Sequence, residues 1–131
     1  LALRYHSSHV VELIMATEDV NLNAANGSGK TPLHSAVESS SQHAIGMLLA
    51  AEDVNINATD QSGATPLHLA VLGGVLSVIE QLVAAKDVNI NAGDEDGNAP
   101  LHIAASGGAS GIVRLLVAAK GININATDQK K

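Results

Sequence analysis

Three hexapeptides decide how this chain folds: Thr31-Pro32-Leu33-His34-Ser35-Ala36, Thr65-Pro66-Leu67-His68-Leu69-Ala70 and Ala99-Pro100-Leu101-His102-Ile103-Ala104. They hold all three prolines, each 34 residues from the next, and a histidine stands two places after every proline. A second motif keeps the same phase. Val20-Asn21-Leu22-Asn23-Ala24 recurs at 54–58 and 88–92, and again at 122–126, where it begins with Ile122. Copies that share both length and phase form a stack of one supersecondary unit. The chain therefore divides into a partial copy at 1–26, full copies at 27–60, 61–94 and 95–128, and a tail at 129–131, all one array over 1–131.

The unit reads helix, turn, helix, extended loop. Thr65-Pro66 opens the first helix, because the hydroxyl can accept from an orphan N–H and proline suits the first turn. Leu67, Ala70 and Val71 give that helix an apolar side, and Gly73-Gly74 ends it, since glycine tolerates the left-handed backbone of a tight exit. Val75, Val78, Ile79, Leu82 and Val83 then follow at i, i+3, i+4, i+7 and i+8, one face of a second helix. Ala109, Ile112, Val113, Leu116 and Val117 repeat that face. So do Ala44, Ile45, Leu48 and Leu49, and in the partial copy Val10, Val11, Ile14 and Met15. An Asn/Asp-rich stretch closing on a glycine comes next, as in Asn91 to Gly97, and such residues favour turns. Two short helices cannot bury their apolar faces alone, so neighbouring copies must cover one another. The expected fold is an all-α solenoid.

Composition narrows the function. The net charge is −6, and the chain has one Tyr, no Phe and no Trp. That combination is poor for displacing counterions from phosphate backbones and poor for stacking bases, so no nucleic-acid partner is expected. The absence of cysteine excludes disulfides, thiolate nucleophiles and Cys-based zinc sites. Hydrophobic residues make up 46% of the chain, too many for a disordered segment, and the core must come from Leu, Ile, Val and Ala. No uncharged apolar run approaches the ~18 residues of a membrane span.

The Thr-Pro-Leu-His-x-Ala strings resemble the signature of ankyrin repeats. The Val-Asn-Ile-Asn-Ala runs and the pre-helix glycines Gly29, Gly63 and Gly97 resemble that family's hairpin loop. The resemblance covers essentially the whole chain and implies stacked helix-turn-helix units joined by hairpin-like loops, acting as a protein-binding scaffold. Two departures stand out. The period is 34 rather than about 33, with the extra residue at Glu52-Asp53-Val54 and Lys86-Asp87-Val88, which predicts a longer exit from the second helix. In addition, Ala99 replaces Thr31 and Thr65, and Ser39-Ser40 stands where the next copy has Gly73-Gly74.

Residues that could carry chemistry have simpler readings. Equivalent atoms of His34, His68 and His102 should lie one helix-packing distance apart, ~8–10 Å, too far to share coordination bonds of ~2 Å. The resemblance implies a structural role for them, around the helix start and the adjoining loop. His6 and His9 have ligand-like spacing but no third ligand nearby in sequence. Asp94-Glu95-Asp96-Gly97-Asn98 begins like a calcium loop, yet an EF-hand needs Gly at its sixth place and Glu at its twelfth, whereas here Gly97 falls fourth and the twelfth place is Ala105. No nucleophile elbow or phosphate-cradling loop occurs. No catalytic residue, cofactor or metal is expected. Asn26-Gly27-Ser28, Asn57-Ala58-Thr59 and Asn125-Ala126-Thr127 match the glycosylation pattern, but scaffold need explains the latter two better. The resemblance also raises hydroxylation of the loop residues Asn23, Asn57, Asn91 and Asn125.

Binding is expected through the surfaces that stacking aligns. The resemblance places recognition around each loop glycine and at the end of each first helix. Candidates at the tips are Lys30, Gln61, Glu95, Asp96 and Asn98; those at helix ends are Arg4, Tyr5, Glu38 and Leu72. Tyr and Arg are favoured at hot spots, which makes Arg4-Tyr5 the leading anchor. Leu72 is apolar where its equivalents are polar or small. The Asp94-Glu95-Asp96 tip and the negative net charge point to a protein partner with a basic patch. The expected function is a non-catalytic, cytoplasmic protein-interaction module, with no membrane insertion. The alternative is a regulatory or substrate-recruiting segment of a larger enzyme whose catalytic domain lies outside this chain. The helix around Ile14 and the helix bearing Ile112, Val113, Leu116 and Val117 read as flanks without a neighbour. They suggest an excerpt from a longer array that associates end to end through Ile14 and Leu116.

Overall fold

The computed structural model describes residues 21–119 and 121–122. Within them lie six helices: α1 Pro32–Glu38, α2 Gln42–Ala50, α3 Pro66–Gly73, α4 Leu76–Val83, α5 Pro100–Ser106 and α6 Ser110–Val117. No residue of the described part is in a strand.

The repeated hexapeptide works as a helix start. Thr31 and Thr65 sit in extended backbone, and their hydroxyls accept from the amides of His34 and His68 at 3.5 and 3.3 Å. In return Thr31 N–H and Thr65 N–H donate to Nδ1 of the same histidines at 3.1 and 3.0 Å. This is a capping box in which histidine takes the place usually held by Glu or Gln. At Ala99 only the return half survives, with its N–H donating to His102 Nδ1 at 2.9 Å. The helix exits also match. Gly74 and Gly108 adopt φ of 73° and 69°, and Ser40 in the equivalent place is forced to 54°, a conformation that costs a residue with a Cβ more than glycine.

The second helices start slightly later than their periodicity suggests. Val75 and Ala109 are N-cap residues of α4 and α6 rather than members of the helices. Val75 is consequently 37% exposed, whereas Val78, Ile79 and Leu82 are buried.

First helices stack on first helices, α1 on α3 on α5, and second on second, α2 on α4 on α6; each first helix also packs on its own second helix. The core between the two rows is Leu33, Ile45, Leu48, Leu67, Ile79, Leu82 and Leu116, all essentially inaccessible. Each such side chain contributes roughly 1.5–3 kcal/mol by leaving water. Two of these facts correct the expectation of an uncovered last helix. Ile112 is 6% exposed and Leu116 0%, because α5 and α4 absorb the face that the pattern assigned to a missing neighbour. Of that face Val113 is half-buried and Val117, at 46%, turns outward. Two of the lengthened exits contain a left-handed residue, Asp87 at φ 68° and Gly121 at φ 87°, whereas the exit at Asp53 does without one.

Candidate functional site

The loops before the first helices are built from side-chain acceptors. Asn26, Asp60 and Asp94 stand one repeat apart, and Oδ1 of each accepts two main-chain N–H groups. The donors are Ser28 and Lys30, then Ser62 and Ala64, then Asp96 and Asn98, all at 2.9–3.0 Å. Main-chain bonds between successive tips tie the loops into a ladder, Gln61 N–H to Ser28 O and Glu95 N–H to Ser62 O, both at 3.1 Å. That approach explains the glycines. A Cβ at Gly63 would lie 2.6 Å from Glu95 N, and one at Gly29 2.8 Å from Gln61 N.

A second ladder runs behind the first. Asn23 Nδ2 donates to Asp53 O at 2.7 Å while its Oδ1 accepts from Asn55 N–H at 2.6 Å. Asn57 repeats this on Asp87 O and Asn89 N–H at 2.8 and 2.7 Å, and Asn91 Nδ2 reaches Gly121 O at 2.9 Å. Asn23 and Asn57 thus grip both polar groups of the next repeat's exit, and the carbonyl that each of the three asparagines takes belongs to the lengthened segment. A glycan on Asn57 would take one of the two Nδ2 hydrogens and set a bulky sugar beside this contact.

The histidines form the third tie. Because Nδ1 accepts from the capping N–H, the proton resides on Nε2, which donates to Ala64 O from His34 and to Asn98 O from His68, at 2.9 and 2.8 Å. Burial holds His34 below its ordinary 6.5, outweighing the Ala64 hydrogen bond and the carboxylates of Asp60 and Glu38, which favour the charged form. Burial pushes the Asp60 carboxyl up, but the Ser62 hydroxyl and the Ala64 and Ser62 amides together hold it below its ordinary 3.8. Among the described residues no three His, Asp or Glu side chains gather into a metal-holding group. What the repeats offer is a fixed display of side chains.

The predicted contact residues fall into two places. Glu38 and Leu72, one repeat apart, border a cleft of about 410 Å³ between α1 and α3, lined also by Val37, Leu69, Val75 and Val78. Leu72 is 66% exposed there, and Leu76 beside it is exposed too. Lys30, in the loop end, and Glu38, in the last turn of α1, meet in an ion pair, so the cleft rim carries a neutralised charge. At the tips Glu95 and Asp96 are exposed, while Gln61 spends its Nε2 on Gly27 O at 2.7 Å. Asn98 is mostly scaffold: its main chain serves Asp94 and His68. Arg4 and Tyr5, like His6, His9, Ile14, Asn125 and the tail, lie outside the described residues. The cleft was missed because Val75 counts as core by helical spacing. The pair Leu72 and Val75-Leu76 astride Gly73-Gly74 was its signal.

The pattern defining ankyrin repeats, in three copies, matches residues 47–128, and a single ankyrin repeat matches residues 28–61. Among curated proteins none matches the chain.

Proposed function

Since this chain belongs to the ankyrin-repeat family, whose repeats are generally protein-interaction modules, we propose that it binds a protein partner without catalysing a reaction, using the α1–α3 cleft and the acidic loop tips. The observation that carries this reading is Leu72. It is a large apolar side chain, 66% exposed, on a helix whose position three hydrogen-bonded ladders hold. Rigid display of this kind lowers the ordering cost of association. Asp94, Glu95 and Asp96 add a field that attracts a basic surface, and no helix among the described residues is long and apolar enough to cross a membrane.

The test compares captured partners for the starting protein, Leu72→Ser and the double variant Glu95→Lys, Asp96→Lys. Both sets of positions are exposed, so folding should survive. Loss of one common partner with Leu72→Ser, and slower association with the charge reversal, are expected. For the starting protein the association rate should fall as salt rises, since the screening length shrinks to about 8 Å at physiological ionic strength. Retention of every partner at unchanged affinity by both variants would overturn the reading.

A further inference from the structure

We propose that Asn26 is a self-modifying position, at which the folded loop converts the asparagine into the aspartate found at the same place in the next two repeats. Asn26 is followed by Gly27, whereas Asp60 and Asp94 are followed by Gln61 and Glu95. No other asparagine in the chain precedes glycine. Glycine matters because it has no Cβ to crowd the nitrogen that must attack.

The step balances within the chain and water. Gly27 N attacks Asn26 Cγ, the Cγ–Nδ2 bond breaks, and ammonia leaves carrying the proton from Gly27 N–H. The resulting five-membered imide is opened by water. Cleavage at Cγ gives aspartate; cleavage at the main-chain carbon gives the isomer whose backbone runs through the side chain.

Three features of the loop favour the attack. First, Asn26 Oδ1 accepts from Ser28 N–H at 2.9 Å and Lys30 N–H at 3.0 Å. These fixed donors aim at the oxygen on which negative charge develops as Cγ becomes tetrahedral, the arrangement of an oxyanion hole. Second, the bond to Ser28 N–H folds the side chain back along the Gly27 peptide. Third, the attacking nitrogen is unengaged. Gln61 N–H and Glu95 N–H, its equivalents, are held by Ser28 O and Ser62 O, while Gly27 N–H has no partner among the described residues. Meanwhile Gly27 O is held by Gln61 Nε2 at 2.7 Å, which steadies the peptide.

The product has a seat ready. A carboxylate at Asp60 and at Asp94 accepts the same pair of N–H groups. Conversion also adds a negative charge to the first tip, so all three loops become acidic; that consequence for binding rests on the proposed contact surface, whereas the conversion does not.

The experiment incubates the full chain in mildly alkaline buffer, folded and in urea, and follows each asparagine by peptide mapping. Expected is a mass gain of about 1 Da at Asn26 ahead of Asn57, Asn91 and Asn98. Because the two donors exist only in the folded loop, the folded chain should react at least about tenfold faster than the unfolded one. Gly27→Ala, for which the loop has open space, should lose the reaction at Asn26. Conversion that is slower in the folded chain than in urea, or that is undiminished by Gly27→Ala, would overturn the proposal. An Asn26 that stays intact while other asparagines react would do the same.

Discussion

Replacing Asn57 by alanine tests whether the rear ladder couples the repeats. The substitution removes the Nδ2 bond to Asp87 O at 2.8 Å and the Oδ1 bond from Asn89 N–H at 2.7 Å. Each hydrogen bond contributes about 0.5–1.5 kcal/mol net, so the pair contributes about 1–3 kcal/mol. The loop is wet enough for water to replace part of this, which places the expected loss at about 1–2 kcal/mol. With a urea slope of about 2 kcal/mol per molar, the middle of the usual range for small proteins, the unfolding midpoint should fall by roughly 0.5–1 M. Asn57→Asp separates the coupling from mere size. It keeps the acceptor for Asn89 N–H but sets a carboxylate oxygen against the Asp87 carbonyl, so it should destabilise at least as much as alanine despite its matched shape. Equilibrium unfolding followed by circular dichroism measures both. A loss within the roughly 0.5 kcal/mol scatter of ordinary surface substitutions for both variants would refute the coupling and leave stacking to the apolar core alone.

Other substitutions probe the places where one repeat departs from its neighbours. Ala99→Thr restores the missing hydroxyl and should add about 0.5–1 kcal/mol, the lower part of the capping range, because the equivalent Thr31 and Thr65 bonds are long at 3.5 and 3.3 Å; an unchanged or lower denaturation midpoint counts against it. Ser40→Gly relieves a left-handed serine at φ 54° and should stabilise by about 0.5–1 kcal/mol; a loss of stability would show that the serine side chain holds the turn. His34 is held below its ordinary 6.5, so the unfolded chain takes up a proton first and stability present above that pH declines as pH falls through the window beneath it. Proton titration by NMR that finds His34 at or above the ordinary value would exclude this source of acid sensitivity. Asp60, also held low, adds its own loss only in strong acid, below about 3.8, as its carboxylate is protonated.

The repeated hexapeptide was legible as a fold because nearly every residue in it has a local job: Thr65 caps, Pro66 fits the first turn, Leu67 enters the core and His68 closes the box. The departures at Ser40 and Ala99 were legible for the same reason, since a missing glycine or hydroxyl changes a known local requirement. Position in the stack was harder to read. Leu116 looked like an uncovered flank because periodicity reports that a helix has an apolar face, not which neighbour takes it. Val75 looked like core because spacing cannot show that it precedes the first helical turn. The Lys30–Glu38 ion pair depends on where a loop end meets the last turn of α1, which no local pattern encodes.

In a chain of near copies, agreement and difference between repeats carry separate information. At Asn23, Asn57 and Asn91, or His34 and His68, the copies agree, and their side chains hold the next repeat and, for the histidines, their own helix start. These side chains serve the stack first. At positions 38, 72 and 106 the copies read Glu, Leu and Ser, and at 27, 61 and 95 they read Gly, Gln and Glu; these side chains are under no common stacking constraint, and the cleft and the charged tip draw on them. Position 26 breaks the rule, since Asn26 differs from Asp60 and Asp94 yet makes the same two bonds. A difference that the scaffold neither requires nor exposes to a partner is where chemistry within the loop itself has room to act.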